Sequence, residues 1–188
     1  QHVIDLVAWM YEVLPQPIVF DADSLFALAQ RQDRLDDAAG LRVLTPHLGE
    51  FKRLVGEDKL EREQAELFAA QYAARRQVVV LLKGNETVVT DGRRSVHNST
   101  GNAGMATGGS GDVLTGIISG LIAQGYNPLV AAIFGVYLHG RSADIAVEDY
   151  GYQSLIASHV INYLGEAFID LFKQPEQPEK APQEEEKK

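Results

Sequence analysis

The segment Val78-Val79-Val80-Leu81-Leu82-Lys83-Gly84 is an unbroken run of β-branched and aliphatic residues that ends in a lysine and a glycine. A short run that is apolar on both faces is typical of a central parallel strand covered by helices. Two shorter apolar runs precede it, at residues 18–20 and 42–44, and segments with helical features separate the three. This alternation of strands and helices predicts an α/β domain.

The other elements follow from periodicity and turn residues. Apolar and charged spacing predicts helices over about residues 2–14, 24–30, 48–55, 59–76, 112–124, 128–147 and 154–172, with Ser24 as the cap of the second. Asp91-Gly92, flanked by the segments 86–90 and 94–97, is a strong hairpin signal. The residues from Lys173 to Lys188 are Pro, Glu, Gln and Lys with almost no apolar side chain. We therefore expect one domain, residues 1–172, and a disordered tail, residues 173–188.

Composition limits the class of function. The net charge is −9 at pH 7 and the chain has no cysteine. An acidic balance argues against a nucleic-acid-binding protein, which needs a basic face. The lack of cysteine excludes disulfides and thiolate chemistry and is consistent with a reducing cytoplasm. No apolar run is long enough to span a bilayer, so we expect a cytoplasmic protein without a membrane partner. Phosphate remains a possible ligand, because helix dipoles and main-chain amides bind it in acidic proteins.

The strongest chemical signal is Gly108-Gly109-Ser110-Gly111-Asp112 at the start of an apolar helix. Amides at a helix N-terminus are unpaired and carry about half a positive charge, and glycines let a phosphoryl group approach the backbone. A carboxylate beside a phosphate would be repelled unless it had a task, and the natural task is to accept the proton of an attacking hydroxyl. The alternative is that Asp112 is a helix cap after an ordinary glycine loop.

Two further turns follow predicted strands, where ligands of open α/β sheets bind. In Thr45-Pro46-His47-Leu48-Gly49-Glu50, His47 can donate to a phosphate or ribose. Glu50 can hold metal-bound water, although an acid in the first turn of a helix is ordinary. In Lys83-Gly84-Asn85-Glu86-Thr87, the lysine can contact nucleotide phosphates, but the P-loop spacing is absent and a polar hairpin turn is as good an interpretation.

Other polar residues give weaker signals. Asp21 and Asp23 could line the same cleft or form an ordinary turn. His139 lies in an apolar helix, where a core histidine is the default, and no spacing of His, Asp or Glu resembles a zinc site.

These segments together resemble the ADP- or ATP-dependent NAD(P)H-hydrate dehydratase family, bacterial type. The implied fold is ribokinase-like, a three-layer α/β/α domain around a mainly parallel sheet. The resemblance extends from about residue 1 to 165 and rests on five stretches in order: VFDADSL at 19–25, LTPHLGEF at 44–51, KGNET at 83–87, NSTGNAGMATGGSGD at 98–112 and GVYLHG at 135–140. Ala103 stands where the family commonly has proline. Family domains carry further strands and helices before the matched region, including part of the substrate site, so we expect an N-terminally truncated domain.

The resemblance implies a nucleotide-repair lyase. It would remove water from the S-epimer of hydrated NADH or NADPH, using ADP and releasing AMP and phosphate. ADP is preferred to ATP because His47-x-Gly-Glu50 and Met105-Ala106-Thr107 look like the bacterial form. Mg²⁺ would bind the phosphates, with its direct protein ligands unknown. A homo-oligomer and an upstream NAD(P)H-hydrate epimerase domain are also expected.

The resemblance also implies roles for site residues. Asp112 would take the hydroxyl proton, and both His47 and Asp112 would contact the hydrate. The amides of Gly109, Ser110 and Gly111 would stabilise the transferring phosphoryl group. The residues that would contact the nucleotide are Lys83, Gly84, Asn85, Glu86, Thr87 and Gly111.

Two alternatives remain open. A ribokinase-like small-molecule kinase, such as a vitamin-precursor kinase, shares the glycine–aspartate motif, but the 45–50 and 102–107 segments favour the dehydratase. A non-catalytic nucleotide-binding remnant would account for the missing upstream part, whereas the intact Asp112 and glycine run argue against it.

Overall fold

A computed structural model describes residues 2–36 and 38–173, so the expected tail lies outside the described residues except for Lys173. Five strands form one sheet within these residues, and they lie in space in chain order. They are β1 (Ile18–Phe20), β2 (Arg42–Leu44), β3 (Val79–Leu82), β4 (Val88–Thr90) and β5 (Ser95–His97). β1, β2 and β3 pair in parallel, whereas β4 is antiparallel to both β3 and β5. Four of the five strands therefore run in one direction, which confirms the mainly parallel sheet and the hairpin.

Eight α-helices accompany the sheet in the described part of the chain. They are α1 (His2–Val13), α2 (Asp23–Ala29), α3 (Leu48–Val55), α4 (Arg62–Arg76), α5 (Ser110–Ala123), α6 (Pro128–Tyr150), α7 (Ala157–Asn162) and α8 (Leu164–Phe172). Most begin and end within a few residues of the predicted bounds.

Three local predictions are wrong. Ser24 is not the cap of α2, because the cap is Ala22 in a positive-φ conformation (φ 47°) and the Ser24 hydroxyl donates to the Asp21 carbonyl at 2.6 Å. α4 begins at Arg62 instead of residue 59. The helix predicted over 154–172 is two helices that meet at Tyr163, whose hydroxyl donates to Asp149 and whose ring lies edge-on to Tyr150.

The strands place alternate side chains on opposite faces of the sheet, and each face builds its own core. The first core joins the sheet to α1–α4, and its strand residues are Phe20, Leu44, Val80 and Leu82. The second core joins the sheet to α5, α6 and α8, and its strand residues are Val43, Val79, Leu81 and Val89. Helices therefore cover both faces, which confirms the three-layer α/β/α architecture.

Two glycines let α6 approach its neighbours closely. A Cβ on Gly135 would lie 2.6 Å from Ile118 Cγ1 of α5. A Cβ on Gly140 would lie 2.3 Å from Thr100 Oγ1 and 2.6 Å from the Thr100 carbonyl carbon. The glycine-rich loop after β5 is thereby packed directly on the α6 backbone.

Candidate active site

The polar turns of three neighbouring strands meet at one end of the sheet. Asp21 follows β1, the turn at 45–50 follows β2, and Lys83 follows β3. The Lys83 amide donates to the Pro46 carbonyl at 2.8 Å, and His47 pairs with Lys83 in an isolated parallel bridge. The two turns singled out in the sequence are therefore in contact.

A cluster of charged side chains is centred on Lys83. Its Nζ lies 2.7 Å from Asp21 Oδ1 and 3.8 Å from Glu50 Oε2. The other Asp21 oxygen, Oδ2, accepts a hydrogen bond from Thr115 Oγ1 of α5 at 2.9 Å. Burial raises the pKa of Asp21, but the hydrogen bond and charge of Lys83, together with Thr115, outweigh it and hold this pKa below its usual value. Asp21 therefore stays ionised and fixes the lysine.

The glycine-rich N-terminus of α5 lies against this cluster. A Cβ on Gly111 would be 3.5 Å from Lys83 Nζ and 3.6 Å from Asp21 Oδ2. Gly109, with φ 85°, is the N-cap, and none of the described side chains caps the helix. The Ser110 amide is directed at the Thr107 carbonyl at 3.4 Å. Gly111 is thus the glycine of the motif that lies beside the lysine.

Asp112 is the third residue of α5, and its side chain is exposed. The helix begins two residues earlier than predicted. The interpretation of Asp112 as the helix cap is wrong, because Gly109 occupies that position. A negative charge in the first turn of a helix interacts favourably with the helix dipole.

His47 and Glu50 form a capping box at the start of α3. The Glu50 amide donates to His47 Nδ1 at 3.2 Å, and the His47 amide donates to Glu50 Oε2 at 2.8 Å. Glu50 therefore has a structural task. The His47 side chain is 55% exposed and lies at the mouth of the site.

Asn85 and Glu86 of the Lys83–Thr87 segment form one wall of an open pocket of about 360 Å³. Inside the turn, Thr87 Oγ1 donates to the Gly84 carbonyl at 3.2 Å. The pocket is lined by Asn85, Glu86, His97, Asn98, Ser99, Thr100 and Gly101. It therefore lies between the Lys83 turn and the start of the glycine-rich loop.

Sequence reasoning missed three partners of this site. Thr115 joins α5 to Asp21, as described above. Asp144 of α6 accepts hydrogen bonds from the Gly101 amide at 2.8 Å and from Asn102 Nδ2 at 2.9 Å, which fixes the glycine-rich loop.

The third partner is His139, which is buried as predicted, but its Nε2 lies 3.3 Å from Ser110 Oγ. Burial, with a smaller effect of the Lys83 charge, lowers the pKa of His139 to about 4, so the ring is neutral at pH 7.

Within residues 2–36 and 38–173, no three His, Asp or Glu side chains are grouped so that they could hold a metal ion. Among the same residues, no helix combines the length and the apolar character needed to cross a membrane.

The sheet topology and the glycine-rich helix start beside a lysine define a ribokinase-like α/β protein. A ribokinase-like superfamily protein from Enterococcus faecalis superposes with a TM-score of 0.67 at 26% identity, over 93% of this chain and 59% of that one. The family model for NAD(P)H-hydrate dehydratase matches residues 5–165, and the chain belongs to this family.

Individual relatives agree with this assignment. The chain is 46% identical to the bifunctional NAD(P)H-hydrate repair enzyme of Moorella thermoacetica, over 86% of this chain and 31% of the relative. It is 38% identical to the ADP-dependent (S)-NAD(P)H-hydrate dehydratase of Bacillus subtilis, over 79% of this chain and 52% of the relative. A crystal structure of the Bacillus subtilis ADP/ATP-dependent enzyme, co-crystallised with ATP and Mg²⁺, superposes with a TM-score of 0.72 at 36% identity, over 82% of this chain and 55% of that chain. The chain thus spans about a third of the bifunctional relative and about half of the dehydratase.

Proposed function

We propose that this chain carries the phosphoryl-transfer centre of an ADP-dependent dehydratase that repairs the S-epimer of hydrated NADH and NADPH. The observation that carries the proposal is the position of Lys83, held by Asp21 at 2.7 Å, beside Gly111 at the start of α5. Family membership supplies the substrate class, and the relatives named as ADP-dependent supply the cosubstrate.

The chemistry explains why a kinase-like site would serve a dehydratase. Hydroxide is a poor leaving group and phosphate is a good one. Asp112 takes the proton of the ring hydroxyl, whose oxygen attacks the β-phosphoryl group of ADP and displaces AMP. The carbon–oxygen bond then breaks with assistance from the ring electrons and phosphate departs. Loss of a proton from the neighbouring ring carbon restores the double bond.

Lys83 and the start of α5 serve the transferring group. The lysine places a cation against the phosphoryl oxygens, and Asp21 keeps it from turning away. The Gly111 amide adds a fixed dipole on the same side, with the Gly109 amide beside it, whereas the Ser110 amide, also expected there, is directed at the Thr107 carbonyl. Dipoles arranged in advance are the larger part of such catalysis. The exposed side chain of His47, a residue that pairs with Lys83, contacts the hydrate together with Asp112.

Magnesium would bind mainly through the phosphates and water, as this ion usually does. Glu50, whose carboxylate lies 3.8 Å from Lys83 Nζ, is the residue that would hold water bound to the ion. Bound there, the ion would neutralise charge that develops on the phosphates.

The open pocket beside the Lys83 turn is the proposed nucleotide site. Its volume of about 360 Å³ lies in the range of ligand pockets. Its walls include Asn85 and Glu86 of the turn, which can hydrogen-bond a base or ribose. We favour ADP over ATP because the 47–50 and 105–107 segments look like the bacterial form.

The test is direct. The chain is incubated with the S-epimer of hydrated NADH, Mg²⁺ and ADP, and the absorbance of the reduced nicotinamide is followed with AMP and phosphate release. We expect recovery of NADH in a 1:1 ratio with AMP, none without nucleotide, and slower recovery with ATP. Phosphorylation of a vitamin precursor without recovery of NADH would instead establish the kinase alternative, and nucleotide binding without either reaction would establish the remnant. A homo-oligomer, a cytoplasmic location and an upstream epimerase domain stay predictions.

A further inference from the structure

Arg62 lies at a position that is electrostatically unfavourable for its own helix. It is the first residue of α4, and a positive charge at a helix N-terminus opposes the helix dipole. The preceding residue, Glu61, is the N-cap and makes no side-chain cap in the part of the chain that the structure describes. Residues that break a local rule are expected where a tertiary contact or a function compensates for them.

The compensating contact is with the turn after β3. Arg62 Nη2 donates to the Glu86 carbonyl at 2.6 Å, and Nη1 approaches the Lys83 carbonyl at 3.4 Å. The guanidinium lies flat against Gly84, where a Cβ would be 3.0 Å from Arg62 Cζ. One planar side chain therefore joins the carbonyl groups at both ends of the Lys83–Glu86 turn.

The two ends of this turn are held by main-chain hydrogen bonds, from the Lys83 amide to the Pro46 carbonyl at 2.8 Å and from the Asn98 amide to the Thr87 carbonyl at 2.9 Å, but its middle has few contacts of its own. Its internal hydrogen bonds are those of Thr87 Oγ1, which donates to the Gly84 carbonyl at 3.2 Å and accepts from the Gly84 amide at 3.4 Å. Both Gly84 and Asn85 are exposed. The opposite side of the turn faces the open pocket through Asn85 and Glu86. By holding the turn on the side away from the pocket, Arg62 fixes the positions of Asn85 and Glu86 in the pocket wall.

We propose that Arg62 is a positioning residue for the adenine nucleotide, and this inference rests on the proposed function. By fixing the two carbonyls, it arranges the Lys83–Thr87 wall before the ligand arrives, so that binding does not have to order the turn. A planar fork can satisfy two carbonyls at once, whereas a lysine ammonium is a point donor on a flexible chain. The effect should appear in nucleotide affinity and leave the chemical step unchanged.

The experiment compares Arg62→Met, Arg62→Lys and the matched control Arg75→Met. Arg75 lies in the last turn of the same helix, its side chain is 73% exposed, and its nearest acid is Asp36 at 3.9 Å. Calorimetric binding of ADP with Mg²⁺ and steady-state turnover of hydrated NADH are measured on the whole chain. For Arg62→Met we expect Kd and KM for ADP to rise about 10-fold, with kcat within about twofold of the wild type and KM for the hydrate unchanged. Arg62→Lys should recover part of the affinity, and Arg75→Met should match the wild type.

The outcomes separate this inference from the proposed function. If the wild type binds ADP and repairs the hydrate while Arg62→Met binds ADP equally well, Arg62 has no positioning role and the proposed function stands. If the wild type neither binds ADP nor repairs the hydrate, the proposed function fails and this inference fails with it. A loss of kcat with unchanged ADP affinity would also overturn the inference.

A second measurement covers the case in which Arg62→Met does not fold. Hydrogen exchange is compared between Arg62→Lys and the wild type over the turn at residues 83–87, β5 and α5. The amides of Gly84 to Thr87 should exchange faster in the variant, while those of β5 and α5 should not change. Equal exchange of these amides in the variant and the wild type would show that Arg62 does not hold the turn.

Discussion

Asp112 is exposed in the first turn of α5, one residue after the glycine that touches the Lys83–Asp21 pair. Asp112→Asn keeps the shape of the side chain and removes its ability to accept a proton. We expect turnover of the hydrate to fall by about 100-fold or more, the usual scale for loss of a general base. Affinity for ADP should stay the same or rise, because one negative charge near the phosphates is gone. Turnover and calorimetry measure the two effects.

A matched control for Asp112 is Asp23, which is also exposed in the first turn of a helix but lies in α2. Both substitutions to Asn remove a charge that favours a helix N-terminus, so each should lower the free energy of unfolding by less than about 1 kcal/mol. Only the Asp112 variant should lose activity. Near-normal turnover in Asp112→Asn would mean that the carboxylate is not the base.

His139 should make the fold sensitive to acid. Its pKa falls from 6.5 in the unfolded chain to about 4 in the fold, so the unfolded state binds more protons between these values. Stability therefore decreases as pH falls from about 6.5 towards 4, by about 3 kcal/mol over the window, and is unaffected by this residue at higher pH. Urea unfolding at pH 7.5, 6 and 5 measures the slope. His139→Gln has no proton to gain, and the same slope in that variant would show that another group is responsible.

At the scale of elements, the contact between α6 and the glycine-rich loop depends on Gly140. In Gly140→Ala, the new methyl group would lie 2.6 Å from a Thr100 backbone atom, so the loop or the helix must shift. We expect a loss of about 1–3 kcal/mol in the free energy of unfolding. We also expect weaker ADP binding, since Asn98 to Gly101 line the pocket.

Gly120→Ala is the control for Gly140→Ala. Gly120 lies inside α5, and apart from the adjacent backbone of its own helix no described atom is within 4 Å of the position its Cβ would take. Because alanine is the better helix former, this change should stabilise the protein by up to about 1 kcal/mol and leave ADP binding alone. Denaturant unfolding and calorimetry on both variants check the pair. A Gly140→Ala protein as stable as the wild type would refute the tight packing.

Elements whose signal is local could be predicted from the sequence. The strand at 78–82 and the Asp91-Gly92 hairpin are encoded within a few residues, and their predicted bounds were nearly correct. The helical pattern of 154–172 does not show the break at Tyr163, whose side chain contacts Asp149 and Tyr150 outside that segment. Ser24 was assigned as a cap because the positive φ of Ala22 is set by the turn after Asp21, which residue type alone does not indicate.

The residues of the site also fall into those that a local sequence pattern predicts and those that it does not. Lys83, His47 and the 108–112 motif were found because each lies in a recognisable stretch after a strand or before a helix. Thr115 and His139 were not connected to the site, since each meets it only through contacts across the domain. Those contacts depend on the order of the strands and on the packing of the helices, and neither can be derived from a single sequence.

For the whole molecule, ADP binding should be measurable as an increase in thermal stability. A ligand at about 100 times its Kd adds about 2.7 kcal/mol, which for a chain of this size raises Tm by roughly 5–10 °C. Thermal unfolding with ADP and Mg²⁺, compared with Mg²⁺ alone, measures the shift. Lys83→Met should lose most of it because the phosphates lose their nearest cation. An equal shift in that variant would place the nucleotide away from the lysine.

The two cores are separated along the chain as well as across the sheet. Every residue of the first core precedes Lys83, whereas the helices of the second core begin contributing only at Leu114. Synthesis proceeds at about 5–20 residues per second, so a nascent chain that has reached the end of β3 carries the described residues of the first core roughly 2–6 seconds before α5 begins to cover the other face. In that interval Val43, Val79 and Leu81 form an apolar surface open to chaperones and to neighbouring nascent chains. The order of elements thus leaves one apolar face of the sheet uncovered on the ribosome-bound chain during this interval, when it is prone to associate with other chains.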